Sequence, residues 1–300
     1  MISSIVENGL SLSRFRAQGF GTLHKDINQA TESVMYTSGE VSSIAFAEHL
    51  LDLIENKSTE DLVIYLEHLL DKYDVNTDDV VKAAEEYSTN KNQKNLQGLS
   101  KAAEPKWIEL FRRLNAAPNG THRLIELRER IRLLQKQNNN QLKPLDAGLL
   151  KLFKYWFNPS FLVLEKIDWS TPANVLEKII EYEAVHDISD WQDLQNRVAA
   201  ADRRLYAFFH PALPDEPLIF IEVALMNDVP DSIMPILDLS VEPINPHNAN
   251  TAVFYSISNC QMALKGVSFG SFLIKQVVSE IQQEFKEIKQ FVTLSPVPGL

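Results

Sequence analysis

The sequence predicts an α+β protein, with an all-helical N-terminal part followed by a mixed α/β part. Apolar residues recur at helical spacing through the first third of the 300-residue chain, and no strand-like alternation interrupts them. From residue 203 onward, short runs rich in β-branched and aromatic residues alternate with turn-forming residues. A chain of this length also suggests about two domains.

Composition argues against several classes of protein. The formal net charge of −11 argues against a nucleic-acid-binding surface as the main role. The apolar runs Phe161–Glu165 and Leu218–Met226 are too short to span a bilayer, and the N-terminus shows no export signal. The single cysteine, Cys260, rules out an intrachain disulfide and a cysteine-rich zinc site. We therefore expect a cytoplasmic protein with no nucleic-acid or membrane partner.

The N-terminal helices are predicted one by one. Ile44–Glu55 and Asp61–Tyr73 carry apolar residues at helical spacing, and Ser58 stands where an N-cap of the second helix is expected. Asn76–Tyr87 opens with a capping residue and acidic residues, which suit a helix N-terminus. Lys106–Leu114 is a further apolar stripe. Together these segments predict a helical bundle.

The stretch Ala116–Thr121 (AAPNGT) is the clearest break between helical patterns. We place the domain boundary there, with a helical domain at residues 1–118 and a second domain at residues 119–300. The second domain begins with two more predicted helices on either side of the polar stretch Gln137–Gln141.

Strands are predicted for four runs, namely RRLYAFFHP, LIFIEVALM, TAVFYSIS and QFVTLSP. A helix, Phe272–Phe285, lies between the last two. Near-continuous apolar runs are typical of strands that are buried on both faces of a sheet, so helices are expected to cover it.

The loop Lys265–Ser271 (KGVSFGS) separates a predicted strand from the helix Phe272–Phe285. A helix N-terminus exposes unpaired N–H groups and the positive end of the helix dipole, which together favour a phosphate. Gly266 and Gly270 let the backbone approach an anion closely, and Lys265 adds positive charge. The same glycines also suit a plain strand-to-helix turn, and spacing alone leaves both interpretations open.

This loop resembles the pyrophosphate loop of the GNAT acetyltransferase superfamily, which binds coenzyme A. Lys265, Gly266 and Gly270 match that pattern, whereas Ser268 stands where a middle glycine is usual.

A longer resemblance covers most of the second domain. These blocks are similar to the malonyl-CoA decarboxylase family in order and spacing: Trp156–His186, Pro214–Ile233, Thr251–Val278 and Thr293–Leu300. The resemblance implies a GNAT-like catalytic domain and a lyase that converts malonyl-CoA to acetyl-CoA and CO2 in fatty-acid and malonate metabolism. It also implies no metal or organic cofactor, with malonyl-CoA and acetyl-CoA as partners and a homo-oligomer formed through the helical domain.

The resemblance also assigns site residues. Ser256 in FYSIS aligns with the family's catalytic serine, and Ser258, two residues further along the same strand face, is the fallback. The family's malonyl-CoA-binding segment corresponds to Asp228, Val229, Pro230, Asp231, Ser232, Ile233 and Met234. Its coenzyme A pyrophosphate loop corresponds to Lys265, Gly266, Val267, Ser268, Phe269, Gly270 and Ser271.

The family's catalytic histidine lies beyond the TLSPVPG-like segment, so we expect the chain to be truncated inside its catalytic domain and inactive as given. His186 is interpreted as structural, His210 as a strand-end residue and His247 as a loop residue.

Several other residues are interpreted as structural. Glu181 and Glu183 lie on a predicted helix and are interpreted as solvated surface residues. Trp156, Trp169 and Trp191 are interpreted as core or interface anchors.

Two other functions stay open. One is a GNAT-like, acyl-CoA-dependent acetyltransferase that acts on an amine, and the other is a non-catalytic protein that binds coenzyme A.

Overall fold

The computed structural model describes residues 23–137, 139–238, 240–267, 269 and 272–294. These residues form two compact units, one within residues 1–153 and one within residues 154–300. No helix in the described ranges combines the length and the apolar character that a membrane span needs.

The first unit is built from helices, and side-chain N-caps mark where four of the described helices begin. The helices are α1 (Ile27–Tyr36), α2 (Glu40–Glu55), α3 (Thr59–Lys72), α4 (Thr77–Thr89), α5 (Gln93–Ala102), α6 (Lys106–Leu114), α7 (Gly120–Lys136) and α8 (Lys143–Trp156). Ser58 accepts a hydrogen bond from the backbone N–H of Asp61 at 3.1 Å, as predicted for an N-cap. Asn76 does the same for Asp79 at 3.1 Å.

The core of the first unit comes from the apolar faces of helices that include α2, α3, α6 and α7, whereas α4 and α5 bury no residue. These side chains are fully buried in it: Leu50, Leu66, Leu110, Phe111 and Leu124. Helical spacing brings such residues to one face, and burial of that face stabilises helices that are marginal in isolation.

The division between the units lies after residue 153, whereas the sequence analysis placed a boundary after residue 118. The helix α7 accounts for the difference, because it packs within the helical unit. Arg123, on α7, pairs with Asp52 of α2 at 2.6 Å. The AAPNGT stretch is a tight turn inside this unit, where Asn119 adopts the left-handed conformation with φ 55°.

The second unit is a mixed sheet with helices. Its elements are β1 (Val163–Ile167), α9 (Ala173–Tyr182), α10 (Trp191–Ala199), β2 (Arg203–Phe209), β3 (Ile219–Met226), α11 (Met234–Leu237), β4 (Thr251–Asn259), α12 (Phe272–Glu284) and β5 (Gln290–Thr293). Short 3-10 turns lie at Asn140–Leu142 in the first unit and at Pro159–Phe161, Pro246–Asn248 and Met262–Leu264 in the second. The predicted α+β class, with helices first and a mixed sheet second, is confirmed.

Within the described residues the strands form one sheet in the order β1-β2-β3-β4-β5. The pairs from β1 to β4 are antiparallel, and β4 pairs with β5 in parallel. The register of β3 and β4 shifts in the middle, since Glu222 lies opposite Ser256 while Val223 lies opposite Phe254. Tyr255 is therefore an extra residue in β4, and such a bulge changes the direction in which neighbouring side chains point.

The central strands are buried on both faces, as their apolar runs predict. On one face, Phe220 packs in a cluster with Ile179 of α9 and Leu194 of α10. On the other face, Val253 and Tyr255 form a cluster with apolar neighbours that include a residue of α11. Strand β1 was missed by the sequence analysis because its short run lies largely exposed at the sheet edge and lacks a buried, alternating face.

Candidate functional site

The two candidate serines lie on β4 and point toward the residue that follows helix α9. Ser256 Oγ donates to Glu183 Oε1 at 2.8 Å and lies 2.9 Å from Oε2. Ser258 Oγ donates to Glu183 Oε2 at 3.0 Å, and the two hydroxyl oxygens are 3.3 Å apart. The serines are buried together with this carboxylate, so they form one polar cluster inside an apolar sheet.

Glu183 was interpreted as a solvated surface residue, and this interpretation is wrong. Its exposed fraction is 6%, whereas Glu181 is exposed as predicted. The physical reason is that α9 ends at Tyr182 and Glu183 adopts an extended backbone, so helical periodicity no longer decides where its side chain points. The carboxylate then accepts hydrogen bonds at 2.8 Å from the backbone N–H groups of Val185 and His186.

A second buried cluster surrounds Arg197 of α10. Its guanidinium donates to Glu222 Oε2 at 3.1 Å and to Asp193 Oδ1 at 3.0 Å. It also donates to the backbone oxygens of His186 at 2.9 Å and Asp187 at 3.1 Å. Arg197 therefore ties the loop after α9 to the middle of β3.

Burial shifts the pKa values in this region. Loss of solvent raises the pKa of Glu222 from 4.5 to about 8, although the charge on Arg197 opposes the shift. Burial also opposes charge on Arg197, but the carboxylates of Glu222 and Asp193 outweigh it and raise the pKa of the guanidinium. The pKa of Tyr255 is raised well above its usual value by burial and by Glu222.

The described part of the candidate pyrophosphate loop borders a cavity of about 310 Å³ past the end of β4. Lys265, Gly266, Val267 and Phe269 line it together with neighbours that include Leu218 at the start of β3. Gly266 has φ 95°, a conformation that residues with a Cβ rarely adopt, so this glycine is needed for the turn itself. Three further candidates lie outside the described residues: Ser268, Gly270 and Ser271.

The candidate malonyl-CoA-binding segment borders a different cavity, of about 520 Å³, past the end of β3. Five members of the segment line this cavity: Asp228, Val229, Pro230, Asp231 and Ser232. Ile233 occupies the N-cap position of α11. Met234 is the first residue of α11 and is 67% exposed.

The two candidate binding segments lie at opposite ends of the β3–β4 pair. Asn259, before the loop, is opposite Ile219, and Thr251 is opposite Met226, before the other segment. An eight-residue strand spans about 24 Å at its usual rise, so these described residues do not form one pocket. Ser256 lies between them, in the middle of β4.

The histidine interpretations agree with the structure. His210 directly follows β2 and forms an isolated bridge with Leu213, and its pKa is lowered by burial. His247 lies in a 3-10 turn between β3 and β4. The backbone oxygen of His186 accepts a hydrogen bond from Arg197.

Trp169 and Trp191 are 45% and 43% exposed and pack edge to face at 6.1 Å, so they are not core anchors, and their role as interface anchors stays a prediction. Trp156 is half-buried.

In the described ranges, no three His, Cys, Asp or Glu side chains are grouped as metal ligands would be. The region offers two hydroxyl groups, a carboxylate that accepts their hydrogens, and a second carboxyl group, Glu222, whose pKa burial raises to about 8 beside Arg197.

Family models match most of the chain. Residues 73–157 match the malonyl-CoA decarboxylase N-terminal domain, and residues 160–300 match the malonyl-CoA decarboxylase C-terminal domain. The two matched segments meet near the division between the two compact units.

Solved structures of similar proteins share the fold. The malonyl-CoA decarboxylase from Rhodopseudomonas palustris is 47% identical, with a TM-score of 0.86 over 93% of this chain and 68% of that chain. The malonyl-CoA decarboxylase from Agrobacterium vitis is 46% identical, with a TM-score of 0.87 over 92% of this chain and 67% of that chain.

Curated relatives are longer than the matched region. The mitochondrial malonyl-CoA decarboxylase of Anser anser anser is 40% identical over 200 residues, which are 65% of this chain and 40% of that protein. The mitochondrial malonyl-CoA decarboxylase of Mus musculus is 37% identical over 204 residues, which are 66% of this chain and 41% of that protein. The match thus spans less than half the length of these relatives.

Proposed function

We propose that the protein converts malonyl-CoA to acetyl-CoA and CO2, because this chain belongs to the malonyl-CoA decarboxylase family. The observation that carries the proposal is the 47% identity and shared fold with the Rhodopseudomonas palustris enzyme over 93% of this chain. The aligned 93% of the chain includes residues of both the helical unit and the sheet unit.

The reaction sets clear physical demands. The bond between the carboxylate carbon and the α-carbon of the malonyl group breaks, CO2 leaves, and the electron pair stays on a thioester enolate. A proton is then added at the α-carbon. An enzyme must therefore stabilise the enolate oxygen by directed hydrogen bonds and supply the proton, and both tasks are performed by ordinary side chains.

We assign the acyl-group chemistry to Ser256, with Ser258 as the fallback. Ser256 lies in the middle of β4, at a bulge and within a buried polar cluster. Burial of polar groups in an apolar sheet costs stability, and a functional role would explain why the cluster is there. The loop around Lys265 and Gly266 is proposed to hold the diphosphate of coenzyme A, and its cavity and left-handed glycine are consistent with that role. The segment Asp228–Met234 is proposed to contact malonyl-CoA.

The proposal includes three properties that follow from the family resemblance and the composition. The protein works without a metal or organic cofactor, forms a homo-oligomer through its helical unit, and resides in the cytoplasm. Activity after dialysis against a chelator, mass in solution and cell fractionation test these properties separately.

The direct test is release of labelled CO2 from malonyl-CoA by the full-length gene product. We expect release by the wild type and a loss of about a hundredfold or more in Ser256→Ala. Ser258→Ala is measured beside it, because a loss in that variant without a loss in Ser256→Ala would assign the chemistry to the fallback serine. Absence of release by a folded wild-type protein would reject the proposal.

The same assay separates the alternatives. Incubation with acetyl-CoA and amines, followed by product analysis, would reveal an acetyltransferase by a transferred acetyl group. A protein that binds coenzyme A but forms neither product would be a non-catalytic binding protein.

A further inference from the structure

We propose that Glu183 is a positioning residue that sets the orientation of the Ser256 hydroxyl group. This inference rests on the proposed function, since it assigns to Glu183 an effect on the decarboxylation that Ser256 supports. The geometry that carries it is a buried carboxylate whose oxygens lie 2.8 and 2.9 Å from one hydroxyl oxygen.

The direction of the hydrogen bonds follows from the chemistry of the neighbours. An ionised carboxylate accepts at both oxygens, and the groups within hydrogen-bond distance of Glu183 are donors. They are the hydroxyls of Ser256 and Ser258 and the backbone N–H groups of Val185 and His186. The Ser256 hydrogen therefore points to Glu183, and the lone pairs of its oxygen point away from it.

The surrounding structure holds Glu183 in this place from two sides. Its own backbone N–H donates to Ile179 of α9 at 3.2 Å. The loop that follows is clamped by Arg197, which donates to the backbone oxygens of His186 and Asp187. Arg197 is in turn paired with Glu222, the residue opposite Ser256 on β3. The serine is thus fixed both through its hydrogen bond and through the strand that pairs with its own.

This arrangement gives Ser256 a defined role toward a bound acyl group. Because its hydrogen is committed to Glu183, the serine presents its oxygen as an acceptor and not as a donor. The family resemblance pointed to the serine alone, and the carboxylate that orients it was interpreted as solvated surface. Glu183 therefore acts on the reaction through Ser256, and the hydrogen bond to the enolate oxygen and the added proton have to come from other donors.

Glu183→Gln tests the orientation directly. The side-chain carbonyl of glutamine still accepts from Val185 and His186 at the Oε1 position, but its NH2 group then faces the serines as a donor. The two lone pairs of that oxygen are taken by the backbone N–H groups, and the NH2 group lies at the position 2.9 Å from Ser256 Oγ and 3.0 Å from Ser258 Oγ. The hydroxyl groups are therefore turned to accept from the NH2 group, while the shape of the cluster changes little. We expect kcat for CO2 release by the full-length protein to fall about tenfold or more, with KM for malonyl-CoA within about threefold.

A double-mutant cycle separates positioning from general support of the fold. In a Ser256→Ala background, Glu183→Gln is expected to change the residual kcat by less than about twofold, because the hydroxyl that it orients is gone. An equal loss of kcat in both backgrounds would overturn the inference. Glu181→Gln, which makes the same substitution at an exposed position two residues earlier, is the matched control and is expected to keep wild-type kcat within about threefold.

The outcomes for the inference and for the proposed function are distinct. Release of CO2 by the wild type with undiminished kcat in Glu183→Gln would overturn the inference alone. No release by the folded wild type would reject the proposed function and the inference with it. If Glu183→Gln does not fold, Glu183→Asp replaces it, because its carboxylate is one methylene too short to reach Ser256 Oγ. A folded Glu183→Asp protein with wild-type kcat would likewise overturn the inference.

Discussion

Replacing Arg197 by methionine should destabilise the sheet unit strongly, because it leaves a carboxyl group buried without its partner. Arg197 is 7% exposed in its side chain, and Glu222 is completely buried. The guanidinium also donates to Asp193 and to the backbone oxygens of His186 and Asp187. Methionine fills a similar volume but donates no hydrogen bond, so these acceptors lose a donor at once.

Above about pH 8, where Glu222 is ionised in the wild type, removal of one partner from this buried ion pair costs about 3 to 5 kcal/mol, which is the magnitude expected for Arg197→Met. This corresponds to a change of about a hundredfold to several thousandfold in the ratio of folded to unfolded protein. The pKa of Glu222 should rise further, because Arg197 lowers it in the wild type. The destabilisation should therefore grow as the pH rises. Urea unfolding followed by circular dichroism and tryptophan fluorescence at two pH values measures both effects.

Arg112→Met is the matched control, because Arg112 pairs with Glu104 in an exposed position. An exposed pair of this kind contributes no more than about 1 kcal/mol. The double variant Arg197→Met with Glu222→Gln should recover part of the lost stability, since the completely buried carboxyl group is then replaced by a neutral amide. A free energy of unfolding for Arg197→Met within about 1 kcal/mol of the wild type would refute the reasoning.

Two further predictions concern stability alone. The pKa of Glu222 is raised by burial from 4.5 to about 8, so the folded state takes up a proton and the free energy of unfolding falls as pH rises through that range. Glu222→Gln should lose this pH dependence, which amounts to up to about 1.4 kcal/mol of unfolding free energy per pH unit in the wild type. The same dependence of unfolding free energy on pH in the wild type and in Glu222→Gln would contradict this. Gly148→Ala should destabilise the helical unit by about 1 to 3 kcal/mol, because the added Cβ would lie 2.6 Å from Trp107 Cη2 and 2.8 Å from Ile108 Cδ1. Gly98→Ala is the control, because a Cβ there meets nothing within 4 Å, and it should stabilise its helix by about 0.5 to 1 kcal/mol. Equal melting temperatures for Gly148→Ala and Gly98→Ala would show that the packing around Gly148 is looser than described.

Local interactions explain why the regular elements were predictable. Ser58 and Asn76 cap helices through bonds to residues three positions away, so their roles are visible in a short stretch of sequence. Strands β3 and β4 carry continuous apolar runs because they are buried on both faces. Strand β1 was missed because an exposed edge strand needs no such pattern.

The position of a helix in the fold was not predictable in the same way. The AAPNGT stretch has the composition of a linker, yet α7 continues the helical unit beyond it. What keeps α7 there is its buried apolar face, which includes Leu124 and Ile131, together with long-range contacts such as that of Arg123 with Asp52. Turn-forming residues show where the chain changes direction, but long-range packing decides whether a domain ends there.

The α+β class, most strand and helix positions and the family resemblance that selected Ser256 could be predicted, because periodicity, capping and motif order are properties of neighbouring residues. The hydrogen bond between that serine and Glu183, 73 positions earlier, is visible only in the folded chain. The same holds for the pairing of Arg197 with Glu222 across 25 positions and for the two candidate binding segments at opposite strand ends. Burial of a polar side chain depends on which distant segments fold over it, and no local pattern records that.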